Sequence, residues 1–209
     1  MSLVQILRNI KNRIKYNKFQ KRNFVLDTVS KYAGACFAPE DFKRRNILEY
    51  FSEYNCEIFV ETGTCYGATT EFMIPYAKEI HTIELSEKLY NKVLKKFKDE
   101  PKVHCYQGDS KDLLSGIVEK INKKPLFYLD SHYAGSGTAK ADKNTPIFEE
   151  LQILAKSGIP SMVILIDDAR FFGFETDYPS LFKLKLFIKE NFPNAEFDVW
   201  NDVIRVVIN

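Results

Sequence analysis

Five times between residues 56 and 192 the chain repeats one pattern, a short apolar run, a polar break and then an amphipathic stretch of helical period. The runs are CEIFVETGT, EIHTIELS, VHCYQGDS, PLFYLDSH and SMVILIDDA, and each reads as a strand. The stretches ATTEFMIPYAK, EKLYNKVLKKFK, KDLLSGIVEKIN, IFEELQILAKSG and SLFKLKLFIKENF read as the helices behind them. Strands that alternate with helices require a parallel sheet with helices on both faces. Ahead of them, APEDFKRRNILEYFSEYN is a further amphipathic helix with Pro39 at its start. The end, EFDVWNDVIRVVIN, is two alternating strands around Asn201 and Asp202, a tight hairpin. The pattern predicts an α/β protein with a doubly wound, mostly parallel, seven-stranded sheet closed by a C-terminal antiparallel hairpin.

A chain of 209 residues with 45% hydrophobic and 28% charged residues suits one soluble domain of this kind. No apolar run approaches the ~20 residues of a membrane span, and no signal-peptide core is present. Cys36, Cys56, Cys65 and Cys105 are scattered, without a CxxC pair or a zinc-ligand spacing. They read as reduced thiols of a cytoplasmic protein. The net charge of +2 is unevenly spread, because residues 1–24 hold Arg8, Lys11, Arg13, Lys15, Lys18, Lys21 and Arg22 with no acid. Leu3, Leu7, Ile10 and Ile14 fall on one face of that segment, a basic amphipathic helix preceding a single domain over 25–209. Such a helix packs on the domain, on a second copy in a homodimer, or peripherally on an anionic membrane. Basic residues elsewhere form no groove interleaved with aromatics, so no nucleic-acid partner is expected.

In doubly wound sheets, ligands bind outside the carboxyl ends of the strands. The first strand ends in ETGTCYG, with Glu61, Gly63 and Gly67. Two glycines four apart are not the GxGxxG fingerprint of a nicotinamide-binding fold. The second strand ends in Glu84, placed to accept both hydroxyls of a ribose, and the third in QGDS. That puts Asp109 and Ser110 at an adenine edge, or at a helix N-cap. The fourth ends in Asp130 and the fifth in adjacent Asp167 and Asp168. Neighbouring parallel strands lie about 4.8 Å apart, so these acids can converge on one cation that removes their repulsion, unless only one of the pair faces the cleft and the other caps the following turn. His132 stands two residues past Asp130, as a general base or as a loop residue. The loop 133–146, with Gly135, Gly137, Lys140 and Lys143, is a lid or ordinary surface. Arg170 holds an anionic substrate group or is ordinary surface, and Tyr133, Phe171 and Phe172 line a pocket or pack as core. His81 and His104 fall within strands and read as structural.

The order of FVETGTCYGATT, IHTIELS, CYQGDS and LFYLDSHY, with the terminal hairpin, resembles class I S-adenosylmethionine-dependent methyltransferases over residues 40–209. The ExGTxxG form is similar to that of macrocin-type and aminocoumarin sugar O-methyltransferases and of cephalosporin-hydroxylase-like proteins. The resemblance implies a Rossmann-like methyltransferase fold binding S-adenosyl-L-methionine. Glu61, Thr62, Gly63 and Gly67 would face its methionine part, Glu84 and Leu85 its ribose, and Asp109 and Ser110 its adenine. Asp130 would lie beside the cofactor and, with Asp167 and Asp168, hold Mg²⁺. The acceptor would be a small hydroxylated molecule, a sugar or natural product, and the base either His132 or Asp130. A non-catalytic nucleoside-binding accessory protein is the alternative, against which the crowded acids speak.

Overall fold

A computed structural model describes residues 40–131, 145–200 and 202–209. The helix expected over 1–24, His132 and the loop from Tyr133 through Lys143 lie outside the described residues. The chain runs α1 (Glu40–Glu53), β1 (Ile58–Thr62), α2 (Ala68–Met73), β2 (Glu79–Glu84), α3 (Glu87–Lys96), β3 (Val103–Gln107) and α4 (Ser110–Val118). It continues through β4 (Pro125–Leu129), α5 (Ile147–Lys156), β5 (Met162–Ile166), a 3₁₀ turn (Ala169–Phe171), α6 (Leu181–Asn191), β6 (Glu196–Trp200) and β7 (Val203–Ile208).

All seven strands join one sheet in the order β3-β2-β1-β4-β5-β7-β6. Strands β1 to β5 are parallel, and β7 runs antiparallel between β5 and β6. The expected mixed sheet with its terminal hairpin is what forms. The strand order reverses between β1 and β4, and this topological switch opens a crevice at their carboxyl ends.

Both faces are covered, which is why the central strands read as unbroken apolar runs. Ile58, Val60, Phe127, Leu129, Ile164, Ile166, Ile204 and Val206 meet Leu114 and Ile117 of α4, Leu151 and Leu154 of α5, and Leu184 and Ile188 of α6. Phe59, Ile80, Leu126, Tyr128, Val163, Leu165 and Val203 point the other way, onto Ile47 and Phe51 of α1 and Met73 of α2. Each fully buried Ile, Leu or Phe contributes roughly 1.5–3 kcal/mol, so these two layers hold the strand ends in fixed register. Buried Arg205 of β7 stands opposite Asp198 of β6 and lies over the Tyr50 ring at 5.3 Å. At the β2–β3 edge, Glu79 Oε1 lies 3.1 Å from His81 Nε2 and 3.3 Å from His104 Nε2. These two histidines stack as sheet residues, away from the carboxyl ends.

Candidate active site

The turn from β1 into α2 is shaped by two close approaches. Gly63 has φ 89°, a left-handed conformation, and a Cβ there would collide with the carbonyl oxygen of Asp130. Its N–H donates to Ile83 O at 2.9 Å, so the turn is pinned between β2 and the end of β4. Gly67, at φ 69°, begins α2, and a Cβ there would stand 2.7 Å from the Phe97 ring. Gly67 thus has a packing reason from α3 that the spacing of glycines did not reveal.

Glu61 lies in β1 rather than on the cleft surface and is 2% exposed. Its Oε2 accepts from the Thr70 hydroxyl at 2.5 Å and the Thr82 hydroxyl at 2.8 Å. Burial pushes its carboxyl up to about 7, against the pull of those two hydrogen bonds. Thr62 is fully buried beside it. Glu84 closes β2 with both oxygens engaged: Oε2 accepts from the Cys65 N–H at 2.7 Å and Oε1 from the Ser86 N–H at 2.8 Å. Burial raises its pKa and the two backbone donors lower it. The adjacent Leu85 is half-buried, and its carbonyl accepts from the Gln107 side chain at 3.2 Å. Asp109 is the N-cap of α4: Oδ1 accepts from the Lys111 N–H at 3.2 Å, and Oδ2 pairs with the Lys111 ammonium at 3.2 Å. Ser110 follows it, buried, in the first turn.

At the other side of the switch, backbone bonds from Asp130 N–H to Thr62 O and from Asp167 N–H to Leu129 O, both 3.0 Å, extend the ladder past the strand ends. Asp130, Asp167 and Asp168 are thereby brought together, with one carboxylate oxygen from each lying within 4.8 Å of the others. An all-carboxylate donor set suits a hard divalent cation.

Asp168 has φ 56°, unusual for a residue with a side chain. The turn is held by Ala169 N–H donating to Asp202 O at 2.9 Å and by Arg170 N–H donating to Asp202 Oδ1 at 2.8 Å. Arg170 differs from its expected role. Its guanidinium pairs with Asp168 Oδ1 at 2.7 Å and with Asp202 Oδ2, so it is committed to the protein's own acids rather than presented to a substrate anion. Those acids raise its pKa although burial opposes them.

A cavity beside the acids is lined by Asp130, Ser131, Thr145, Glu150, Asp167, Phe172 and Tyr178, among others. Phe172 is buried in its wall, whereas Phe171 is half-buried and stacks edge-on against Tyr178. The phenol of Tyr178 is pushed upward by burial first and then by Asp168 and Asp130. Glu150, Asp202 and Tyr178 escaped the sequence reasoning. Glu150 belongs to the buried stripe Ile147, Glu150, Leu151 and Leu154 of α5, which the adjacent Glu149 masks in the sequence.

No family model matches the chain, and no curated protein matches it in sequence. Solved structures do match. The O-methyltransferase from Bacillus cereus, in complex with SAH, aligns at TM-score 0.56 and 16% identity, over 90% of each chain. The O-methyltransferase TomG of Streptomyces achromogenes, involved in tomaymycin synthesis and bound to SAM, aligns at 0.55 and 15%, over 84% of this chain and 82% of that one. The SAH-bound methyltransferase PaMTH1 of Podospora anserina aligns at 0.57 and 16%, over 80% of this chain and 78% of that one. The chain has the class I methyltransferase fold. In this methyltransferase fold the acids described above occupy the carboxyl ends of β1, β2, β4 and β5, where such sheets bind their ligands. Among the described residues, no helix is long and apolar enough to cross a membrane.

Proposed function

We propose that the protein is an S-adenosylmethionine-dependent methyltransferase that methylates an oxygen of a small hydroxylated acceptor, a sugar or natural product, with the help of Mg²⁺. The observation that carries this is the convergence of Asp130, Asp167 and Asp168 within 4.8 Å, beside the β1–α2 turn of a methyltransferase fold. Glu84, held rigid by the Cys65 and Ser86 N–H groups, offers its remaining lone pairs to the ribose hydroxyls. Gly63, whose turn packs directly on the Asp130 carbonyl, faces the methionine end. Asp109 and Ser110 border the adenine, and Thr62, Gly67 and Leu85 frame the same pocket.

Asp130, Asp167 and Asp168 would hold the ion, which when bound acts as Lewis acid and template for neighbouring hydroxyls of the acceptor. The acceptor oxygen attacks the sulfonium methyl group in line, a C–O bond forms, and the C–S bond breaks with its electron pair left on sulfur. The proton of the attacking hydroxyl passes to His132 or Asp130. The products are S-adenosylhomocysteine, a methyl ether and one proton. The hydroxyls of Ser131, Thr145 and Tyr178 around the cavity suit a polyhydroxylated acceptor.

A nucleoside-binding accessory role has one observation in its favour: Arg170 already offsets Asp168 and Asp202 without any ion. Calorimetric titration of S-adenosylmethionine and S-adenosylhomocysteine, with Mg²⁺ and with EDTA, separates the two. The methyltransferase reading predicts micromolar binding of both nucleosides and a Mg²⁺-dependent change in heat or affinity. Binding indifferent to Mg²⁺ favours the accessory role, and no binding under any condition removes both.

A further inference from the structure

Glu150 is a buried carboxylate beside the strand ends that no step above employs. It is 1% exposed, on the core-facing stripe of α5. An apolar residue there would complete the layer of Ile147, Leu151 and Leu154 at no desolvation cost. The carboxyl instead sits in the first helical turn, where the dipole favours negative charge. The Ser131 hydroxyl donates to its Oε1 at 2.7 Å. The Ser110 hydroxyl lies 3.4 Å from Ser131 Oγ. Burial raises the carboxyl's pKa, and the neighbouring hydroxyls, Ser110 and Ser131 first, pull it back.

These two hydroxyls come from two different places in the site. Ser110 follows the N-cap after β3, and Ser131 follows Asp130 after β4. Each is adjacent to a residue with a proposed ligand: Asp109 at the adenine, Asp130 at the ion. We propose that Glu150 is a positioning residue that ties the ends of β3 and β4 together from beneath, through Ser131 and on to Ser110, so that the nucleoside contact and the ion contact are set as one unit. This rests on the methyltransferase reading above. It goes beyond that reading in assigning one helix-borne carboxyl the task of coupling the cofactor pocket to the ion pocket.

The test is titration of S-adenosylhomocysteine and of Mg²⁺ into the wild type and into Glu150→Ala, Glu150→Gln and Ser131→Ala, with a thermal melt of each. Loss of the outer hydrogen-bond partner of a metal ligand costs about 10–100-fold in metal affinity. Glu150→Ala and Ser131→Ala are therefore expected to weaken Mg²⁺ at least about tenfold, and S-adenosylhomocysteine in the same direction. Because they share one interaction, the double variant is expected to be no worse than Glu150→Ala alone. Glu150→Gln keeps an acceptor oxygen and should stay within about twofold of wild type. A merely structural role would lower the melting temperature and leave both affinities alone. That result in Glu150→Ala, or a Glu150→Gln as defective as Glu150→Ala, overturns the proposal. If Glu150→Ala does not fold, Ser131→Ala decides: weakened binding supports the proposal and unchanged binding overturns it. If the wild type binds no S-adenosylhomocysteine, the methyltransferase reading itself falls, and the proposal with it.

Discussion

The carboxylates at the ends of β1 and β2 and those at the ends of β4 and β5 lie on either side of the strand-order reversal, and their surroundings differ in kind. Glu61 accepts two threonine hydroxyls, and Glu84 accepts two backbone N–H groups. Each is a carboxyl with neutral hydrogen-bond donors on it, fixed in one orientation. Asp130, Asp167 and Asp168 instead gather their oxygens within 4.8 Å of each other, with the Arg170 guanidinium on Asp168 and Asp202 at the rim. The first arrangement fixes each carboxyl on the protein's own donors. The second concentrates negative charge. One sheet therefore carries a hydrogen-bonded half and a charge-concentrating half, and the two touch where Gly63 meets the Asp130 carbonyl.

Breaking that point of contact is expected to have the largest effect. Gly63→Ala adds a Cβ against a backbone carbonyl that cannot rotate away, at a φ of 89°. The expected cost is about 3–5 kcal/mol, at the high end for point variants. Urea unfolding measures it, and a loss below about 1 kcal/mol would show that the two halves are not wedged together as described.

A smaller change sharpens the description of the β1 side. The Glu61 carboxyl titrates at about 7 in the folded protein because burial disfavours its charge, against an ordinary 4.5. The folded state then keeps a proton that the unfolded chain releases between those values. Stability linked to this group is present below about pH 4.5 and is lost as pH rises to about 7. Glu61→Gln has no proton to lose and retains an acceptor for Thr70 and Thr82. Its stability relative to wild type should rise by about 2–3 kcal/mol from about pH 5 to pH 8. Parallel pH profiles for the two proteins would contradict the buried, hydroxyl-bound placement.

Much of the fold was legible because both covered faces demand apolar residues, so MVILI and PLFYL announce central strands without further context. The acids at the strand ends were legible for the same reason, since each interrupts such a run. The pairing of the terminal hairpin was less so. β6 and β7 both alternate, and only their packing decides that β7 lies against β5. Contacts between distant segments left no local trace. Arg170 finds Asp202 across 32 positions, which turns an expected substrate cation into an internal partner. Gly67 faces Phe97, a residue of the next helical unit, so its glycine answers to packing as well as to the turn. Asp109 was readable as an N-cap from QGDS alone, and the cap is present. Glu150 was hidden by its helix, where two adjacent glutamates look like an ordinary charged first turn until burial separates them.

Mn²⁺, a spectroscopic stand-in for Mg²⁺, reads out whether the β4–β5 acids hold one divalent ion. Electron paramagnetic resonance counts free and bound Mn²⁺ in the wild type and in Asp168→Asn, a substitution that tolerates the left-handed backbone while removing the charge. One bound Mn²⁺ per wild-type chain, displaced by Mg²⁺, is expected, with binding at least about 100-fold weaker in Asp168→Asn. A wild type that binds no Mn²⁺, or an Asp168→Asn protein that binds it equally well, would rule out an ion on these acids and leave Arg170 as the cation that balances them.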